Sequence, residues 1–269
     1  KRPELRKKRV EVSGLLRPFF IINFVKMNLA IDIGNTLAKL AVIDDGQMVD
    51  FQKTEKIDSA FIERLLEENP EIDAAIIVST GESGSEWQQM LEKRMKRFVR
   101  FNAETPIPIE NGYETPQTLG LDRLAAAVAA NALYPNSNVV IVDFGTAITV
   151  DFVSAEGKFL GGNISPGAAT RFKALHHFTK RLPLCELDED SVRLLGNSTL
   201  TAIESGVVNG IVYEIEGYIR DLQQRYNNLR IIFTGGESDF FAKRLKNTIF
   251  ATYDLVAYGL NRILEYNAK

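Results

Sequence analysis

The stretch "MNLAIDIGNTLAKLAVIDDG", residues 27–46, sets an acid and a glycine turn between two apolar runs. A second stretch from Val139, "VVIVDFGTAITVDFVSAEGKFLGG", does the same at Asp143. Each reads as a buried strand that ends in an aspartate, turns tightly and returns as another buried strand. In each copy a polar turn then leads to a third strand, "MVDFQKT" after 44–47 and "FLGGNIS" after 154–158. The two aspartates stand roughly 110 positions apart, which marks a duplicated unit rather than a short-period solenoid.

The segments between these openings complete the pattern. "DSAFIERLLEENP" is an amphipathic helix capped by Asp58 or Ser59, with Phe61, Ile62, Leu65 and Leu66 inward and Pro70 at its end. Residues 74–80 form a buried strand, 86–98 a helix and 99–103 a short strand, giving β-β-β-α-β-α-β. Residues 105–120 are irregular, and "LDRLAAAVAANALY" is an alanine-rich helix. After the second opening come a long helix over about 199–226, a strand over 229–236, a helix from Ser238 and a last helix ending near Asn267. The expected architecture is α/β: two duplicated subdomains, 27–136 and 137–269, facing each other across a cleft suited to a small ligand.

Composition excludes several classes. The chain has 269 residues, 45% hydrophobic, which is ample for a real core. A formal net charge of −3 argues against general affinity for nucleic acid. The single cysteine, Cys185, rules out an internal disulfide and a cysteine-rich zinc site. The reading is a cytoplasmic protein that binds neither membrane nor nucleic acid. Residues 1–26 stand apart, with eight Lys/Arg against two Glu. Arg17 and Pro18 break the apolar run there, and no small-residue cleavage site follows, so a secretory signal is disfavoured. The expectation is a basic leader outside the fold.

The turns carry chemistry. Gly34 lets a ligand approach the backbone, and successive turn amides can form an anion-binding nest. Asn35 and Thr36 add side-chain hydrogen-bonding groups, and Lys39 adds positive charge. An aspartate tolerates a phosphate when a cation lies between them, and Mg²⁺ is usually held by one or two carboxylates plus phosphates. Asp143, Gly145 and Thr146 repeat the arrangement, with no lysine three residues past Thr146. Neither the Walker loop nor the G-x-G-x-x-G fingerprint is present. Gly235 and Gly236, in "IIFTGGES", could let a flat ring lie against the backbone and so suit an adenosine.

The repeated hairpin and late Gly-Gly resemble the superfamily of acetate and sugar kinases, Hsp70 and actin, whose subdomains are ribonuclease-H-like. Within it, residues 28–265 resemble type III pantothenate kinases. The matching motifs are "DIGNT" with Lys39, "LGLDR" at 119–123, "DFGTA" at 143–147, "GGNISPG" at 161–167, "ALHHFTKRLP" at 174–183 and "NSTLTAIESG" at 197–206.

The resemblance implies specific roles. ATP phosphates would be held by Asp32, Ile33, Gly34, Asn35, Thr36, Leu37, Ala38 and Lys39, with Thr146 also on ATP. Pantothenate would meet Tyr113, Gly120, Leu121, Asp122, Arg123 and Thr199. Asp122 would be the catalytic base, since attack by an alcohol on a γ-phosphoryl group needs an acceptor for the hydroxyl proton. Arg123 could clasp the substrate carboxylate bidentately. Asp143 would bind a monovalent cation, K⁺ or NH₄⁺, beside Mg²⁺. The family's dimers imply a homodimer here.

Other residues read more plainly. His176 and His177 are neighbours that cannot share a helix face, so they read as solvated rather than as a metal pair. Gly206 and Gly210 suit close helix packing or a dimer contact. Two rivals remain: a kinase of the same superfamily for another small alcohol, and a non-catalytic accessory or regulatory protein that keeps the fold.

Overall fold

The structure is a computed structural model that describes residues 27–34, 37–79, 85–188, 192–245, 250–251 and 254–268. The basic stretch 1–26 and the turn residues Asn35 and Thr36 lie outside the described residues.

The first half begins with β1 (Met27–Ile33), β2 (Ala38–Asp44) and β3 (Gln47–Thr54). It continues with α1 (Ser59–Glu68), β4 (Ile72–Ser79), α2 (Glu86–Arg94) and β5 (Arg97–Arg100). Then come β6 (Glu110–Asn111), a 3₁₀ turn (Pro116–Thr118) and α3 (Leu121–Leu133). The second half holds β7 (Asn138–Phe144), β8 (Ala147–Val153), β9 (Lys158–Pro166), α4 (Ala168–Phe178) and α5 (Thr199–Arg225). It ends with β10 (Leu229–Thr234), α6 (Ser238–Ala242), β11 (Phe250–Ala251) and α7 (Leu255–Tyr266).

The duplication is explicit in the strand order. The first sheet runs β3-β2-β1-β4-β5 and the second β11-β10-β7-β8-β9-β6. With β6 set aside, both are the same mixed sheet, antiparallel through the opening three strands and parallel beyond. The "DDGQ" hairpin forms as expected, with Asp45 and Gly46 both at positive φ, the signature of a turn that matches strand twist.

Three apolar clusters stack the chain into layers. On the outer face of the first sheet, Ile62, Leu65 and Leu66 of α1 and Trp87 and Leu91 of α2 cover Leu29, Ile31, Leu40 and Val42. On the outer face of the second, α4, α5 and α6 cover Val140, Val142, Phe144 and Phe233. Between the sheets lie α3 and α7, which share one core with Ala30, Ile43 and Ile76 of the first sheet and Val139, Ile141 and Ile232 of the second. The alanines of α3 are explained here: Ala125 to Ala130 are buried, and only small side chains let two helices fit side by side between two sheets. A buried side-chain hydrogen bond from Asn28 to Asn261, 2.8 Å, ties β1 to α7.

Capping follows the sequence signals. Asp58 accepts from the Phe61 amide at 2.9 Å, and Ser198 with Thr201 forms a capping box that starts α5. Several elements differ from expectation. Helix α2 ends at Arg94, because Arg97 to Arg100 pair with β4 as a strand. Residues 168–178, for which the sequence pattern announces no element, form α4. The irregular 105–120 contains β6 and the 3₁₀ turn. Strand β10 stops at Thr234, before the two glycines. No described helix is long and apolar enough to cross a membrane.

Candidate active site

Asp32 and Asp143 occupy the same place in the two sheets, one residue before the ends of β1 and β7. Their partners differ. Asp32 faces Lys39 across the β1–β2 ladder, whereas Asp143 faces Thr149 across β7–β8. The lysine of the first hairpin is thus a threonine in the second. Lys39 Nζ lies 3.9 Å from Asp32 Oδ2 and 3.9 Å from Asp254 Oδ2, the latter at the N-cap of α7.

The acids at the two strand ends perturb one another. Burial pushes the Asp32 carboxyl up to about 6; Lys39 pulls the other way, while Asp254, Asp122 and Asp143 push further. Asp143 is also pushed up to about 6, first by burial, with Asp122, Asp254 and Asp151 adding repulsion against the pull of Lys39. Burial disfavours the Lys39 ammonium, yet Asp254, Asp32, Asp143 and Asp122 together outweigh it and hold the lysine above its ordinary value. Lys39 therefore stands among several carboxylates, with Lys53 also acting on Asp254.

Asp122 reaches these acids from α3. Gly120 is the N-cap, and Asp122, exposed in the first turn, accepts a hydrogen bond from the Arg123 amide at 2.8 Å. An acid at a helix N-terminus is favourably placed. The next side chain turns inward. Arg123 Nε donates to Asp151 Oδ1 and Oδ2 at 3.0 and 3.1 Å, and Nη2 also donates to Oδ1. The Arg123 guanidinium lies 5.9 Å from the Tyr113 ring and 6.0 Å from that of Phe159. The fork expected to clasp a substrate carboxylate is thus closed on Asp151, and Tyr113 adds a further hydrogen-bonding neighbour. Gly162 sits opposite Asp151 in the β8–β9 ladder, where a methyl group would overlap the Val150 carbonyl, the Asp151 carboxylate and Arg123 Nη2.

The remaining candidates are placed as follows. Ile33 ends β1, the Gly34 amide donates to the Leu37 carbonyl at 3.2 Å, Leu37 is exposed and Ala38 opens β2. Thr146 is exposed in the second turn, where its carbonyl accepts from the Gly167 amide at 3.0 Å and the Thr170 hydroxyl at 2.7 Å. Leu121 opens α3 beside Asp122. Thr199 is the exposed first residue of α5, and among the described residues no hydrogen bond or ion pair joins it to Asp122, Arg123 or Tyr113. Gly235 has φ +92°, and a side chain there would press on Asp143 and Phe144; Gly236 faces open space. Two site residues escaped the sequence reading, Asp151 and Asp254. Their signals were visible: an acid inside the apolar run "AITVDFV", and an acid just before the apolar helix "LVAYGL".

The donor set bears on cations. Among the described residues no group of three or more His, Cys, Asp or Glu side chains is arranged to hold a metal. The arrangement does fit an ion bound by one or two carboxylates and completed by phosphate oxygens, the habit of Mg²⁺. His176 and His177 are exposed at the end of α4, away from the acids, and His176 Nδ1 lies 2.9 Å from the Leu182 carbonyl.

Comparison with known proteins gives the same picture from outside. The family model for type III pantothenate kinase matches residues 28–221. A type III pantothenate kinase of Phocaeicola vulgatus is 44% identical over 90% of this chain and 100% of its own length. One of Flavobacterium johnsoniae is 40% identical over 89% of this chain and 98% of its own. Among solved structures, a Campylobacter jejuni protein named for the Baf family of transcriptional activators superposes with a TM-score of 0.58 at 25% identity, covering 89% of this chain and 98% of that one. Component A of the (R)-2-hydroxyglutaryl-CoA dehydratase of Acidaminococcus fermentans shares the fold, with a TM-score of 0.50 at 17% identity over 90% of this chain and 99% of that one. The paired aspartate hairpins, the acid on α3 and these matches agree, and the chain belongs to the type III pantothenate kinase family.

Proposed function

We propose that this chain transfers the γ-phosphoryl group of ATP to the primary hydroxyl of pantothenate, giving 4′-phosphopantothenate, the first step of coenzyme A biosynthesis. The observation that carries the reading is the convergence of Asp122, exposed at the start of α3, with Asp32 and Asp143 at the tips of the two sheets. Asp122 accepts the hydroxyl proton as the alcohol oxygen bonds to the γ-phosphorus and the bridging oxygen leaves with ADP. Lys39 and the amides of the first turn stabilise the transferring charge. A magnesium ion bound by Asp32 and the phosphates would neutralise phosphate charge, and a K⁺ or NH₄⁺ ion at Asp143 would add to this.

The Arg123–Asp151 pair supports a definite substrate pose. With Nε and Nη2 engaged on Asp151, Arg123 and Tyr113 together border the site that receives pantothenate. Thr146 contacts ATP, and Gly235 and Gly236 border its adenosine. Thr199, exposed at the start of α5, reaches pantothenate across a subunit boundary. That requires a homodimer, and the exposed Phe178, Leu194, Leu195, Leu200 and Tyr213 supply an apolar surface beside it. Among the described residues nothing lies near the Cβ position of Gly206, which leaves that part of the helix surface open to a partner. The protein would act in the cytoplasm.

The test is ADP release with and without pantothenate, run in potassium and in sodium. Release that ignores pantothenate but responds to another alcohol would transfer the reading to a different small-molecule kinase. Nucleotide binding without turnover of any alcohol would favour the regulatory role that the Campylobacter relative's name suggests.

A further inference from the structure

Asp254 does two separate things with its two oxygens. Oδ1 accepts a hydrogen bond from the Ala257 amide at 2.9 Å and caps α7. Oδ2 is buried, has no hydrogen-bond partner among the described residues, and lies 3.9 Å from Lys39 Nζ. The residue is only 3% exposed. A cap needs no charge, since Ser, Thr and Asn cap as well as Asp. A buried carboxylate oxygen without a partner is costly, so the charge at Asp254 calls for another reason.

Lys39 supplies that reason. Its ammonium is 3.9 Å from Asp32 on one side and 3.9 Å from Asp254 on the other. Both separations exceed hydrogen-bonding range, so the lysine is suspended between two acids and bonded to neither. Asp32 and Lys39 are cross-strand neighbours in one hairpin and would close into a contact ion pair if nothing opposed it. Such a pair would consume the carboxylate and the ammonium together. The opposing pull comes from α7, anchored against β1 by the shared core and by the Asn28–Asn261 bond.

We infer that Asp254 is a positioning residue for Lys39: it draws the ammonium off Asp32 and so keeps both groups open to the phosphates of the nucleotide. The inference rests on the reading of Asp32 and Lys39 as phosphate-site residues and is independent of which alcohol is phosphorylated.

The experiment is calorimetric binding of MgATP, without pantothenate, to the unaltered full chain, Asp254→Asn, Lys39→Met and the double variant. Asparagine keeps the cap and removes the charge; Asp254→Ser, which also caps but is too short to reach Lys39, replaces it should Asp254→Asn fail to fold. The expected result is about a tenfold weaker affinity in Asp254→Asn, with no further weakening when the change is made in the Lys39→Met background. Equal weakening in both backgrounds overturns the inference, because Asp254 would then act without Lys39. Unchanged or tighter binding in the single variant also overturns it. No MgATP binding by the unaltered chain overturns this inference together with the proposed function, whereas binding without pantothenate turnover leaves the inference standing and removes only the substrate assignment.

Discussion

Gly259 of α7 packs so closely on Ala125 of α3 that a methyl group at residue 259 would overlap the Ala125 carbonyl oxygen. This contact sets the distance between the two helices that separate the sheets. Replacing Gly259 by alanine should force them apart and destabilise the protein by about 1–3 kcal/mol. Thermal denaturation checks this; an unchanged melting temperature would contradict the packing described.

Asp122 is exposed, so its replacement should leave the fold intact. Asp122→Asn should lower turnover by about 10²–10⁴ while MgATP binding persists. Steady-state kinetics beside a binding isotherm separates the two effects. Near-normal turnover would remove Asp122 from the proton-accepting role.

Asp32 and Asp143 give the nucleotide-free protein a pH dependence. Both carboxyls are raised from 3.8 to about 6 in the folded chain, mainly by burial. A raised carboxyl means that the folded state holds its proton more tightly than the unfolded state does. The resulting stability is full below about pH 4 and is lost as pH rises through about 6. With divalent and potassium ions withheld, the melting temperature should therefore carry a downward contribution between pH 4 and 7 that shrinks in Asp143→Asn. MgATP with potassium should restore stability most at the upper end of that window. A melting profile unchanged by Asp143→Asn would show that these acids are not crowded.

Gly162→Ala should strike the Arg123–Asp151 pair and the backbone at Val150. Because the pair aims Arg123, the KM for pantothenate should rise by about tenfold or more while that for ATP changes little. Equal changes in both constants would point to a general loss of structure instead.

Leu195→Glu places a charge on the exposed apolar surface beside α5. On the proposed homodimer, sedimentation should shift from dimer to monomer, and pantothenate turnover should fall with it. A dimer that survives the change would move the interface elsewhere.

The legible part of this molecule was its local part. Each aspartate hairpin is written in consecutive residues, and the duplication followed from finding it twice. Helix α4 was missed because only Ala168 and Phe172 of its residues are fully buried, which leaves little apolar periodicity to detect. The end of α2 was overrun because Met95 and Phe98 continue a helical spacing while the backbone has already joined the sheet. Asp151 and Asp254 were passed over for a different cause. Their meaning lies in partners far along the chain, Arg123 and Lys39, and no pattern of neighbouring residues announces those pairings.

The position of α7 has a consequence for biosynthesis. Strands β1 to β5 are the first part of the fold to be made, yet the inner face of their sheet is covered by a helix near the opposite end of the sequence. A growing chain can assemble the outer layer of α1 and α2 early, but Ala30, Ile43 and Ile76 stay uncovered until α7 emerges. The β1–β2 hairpin thus gains Asp254, the buried neighbour of Lys39, last, when α7 docks against β1.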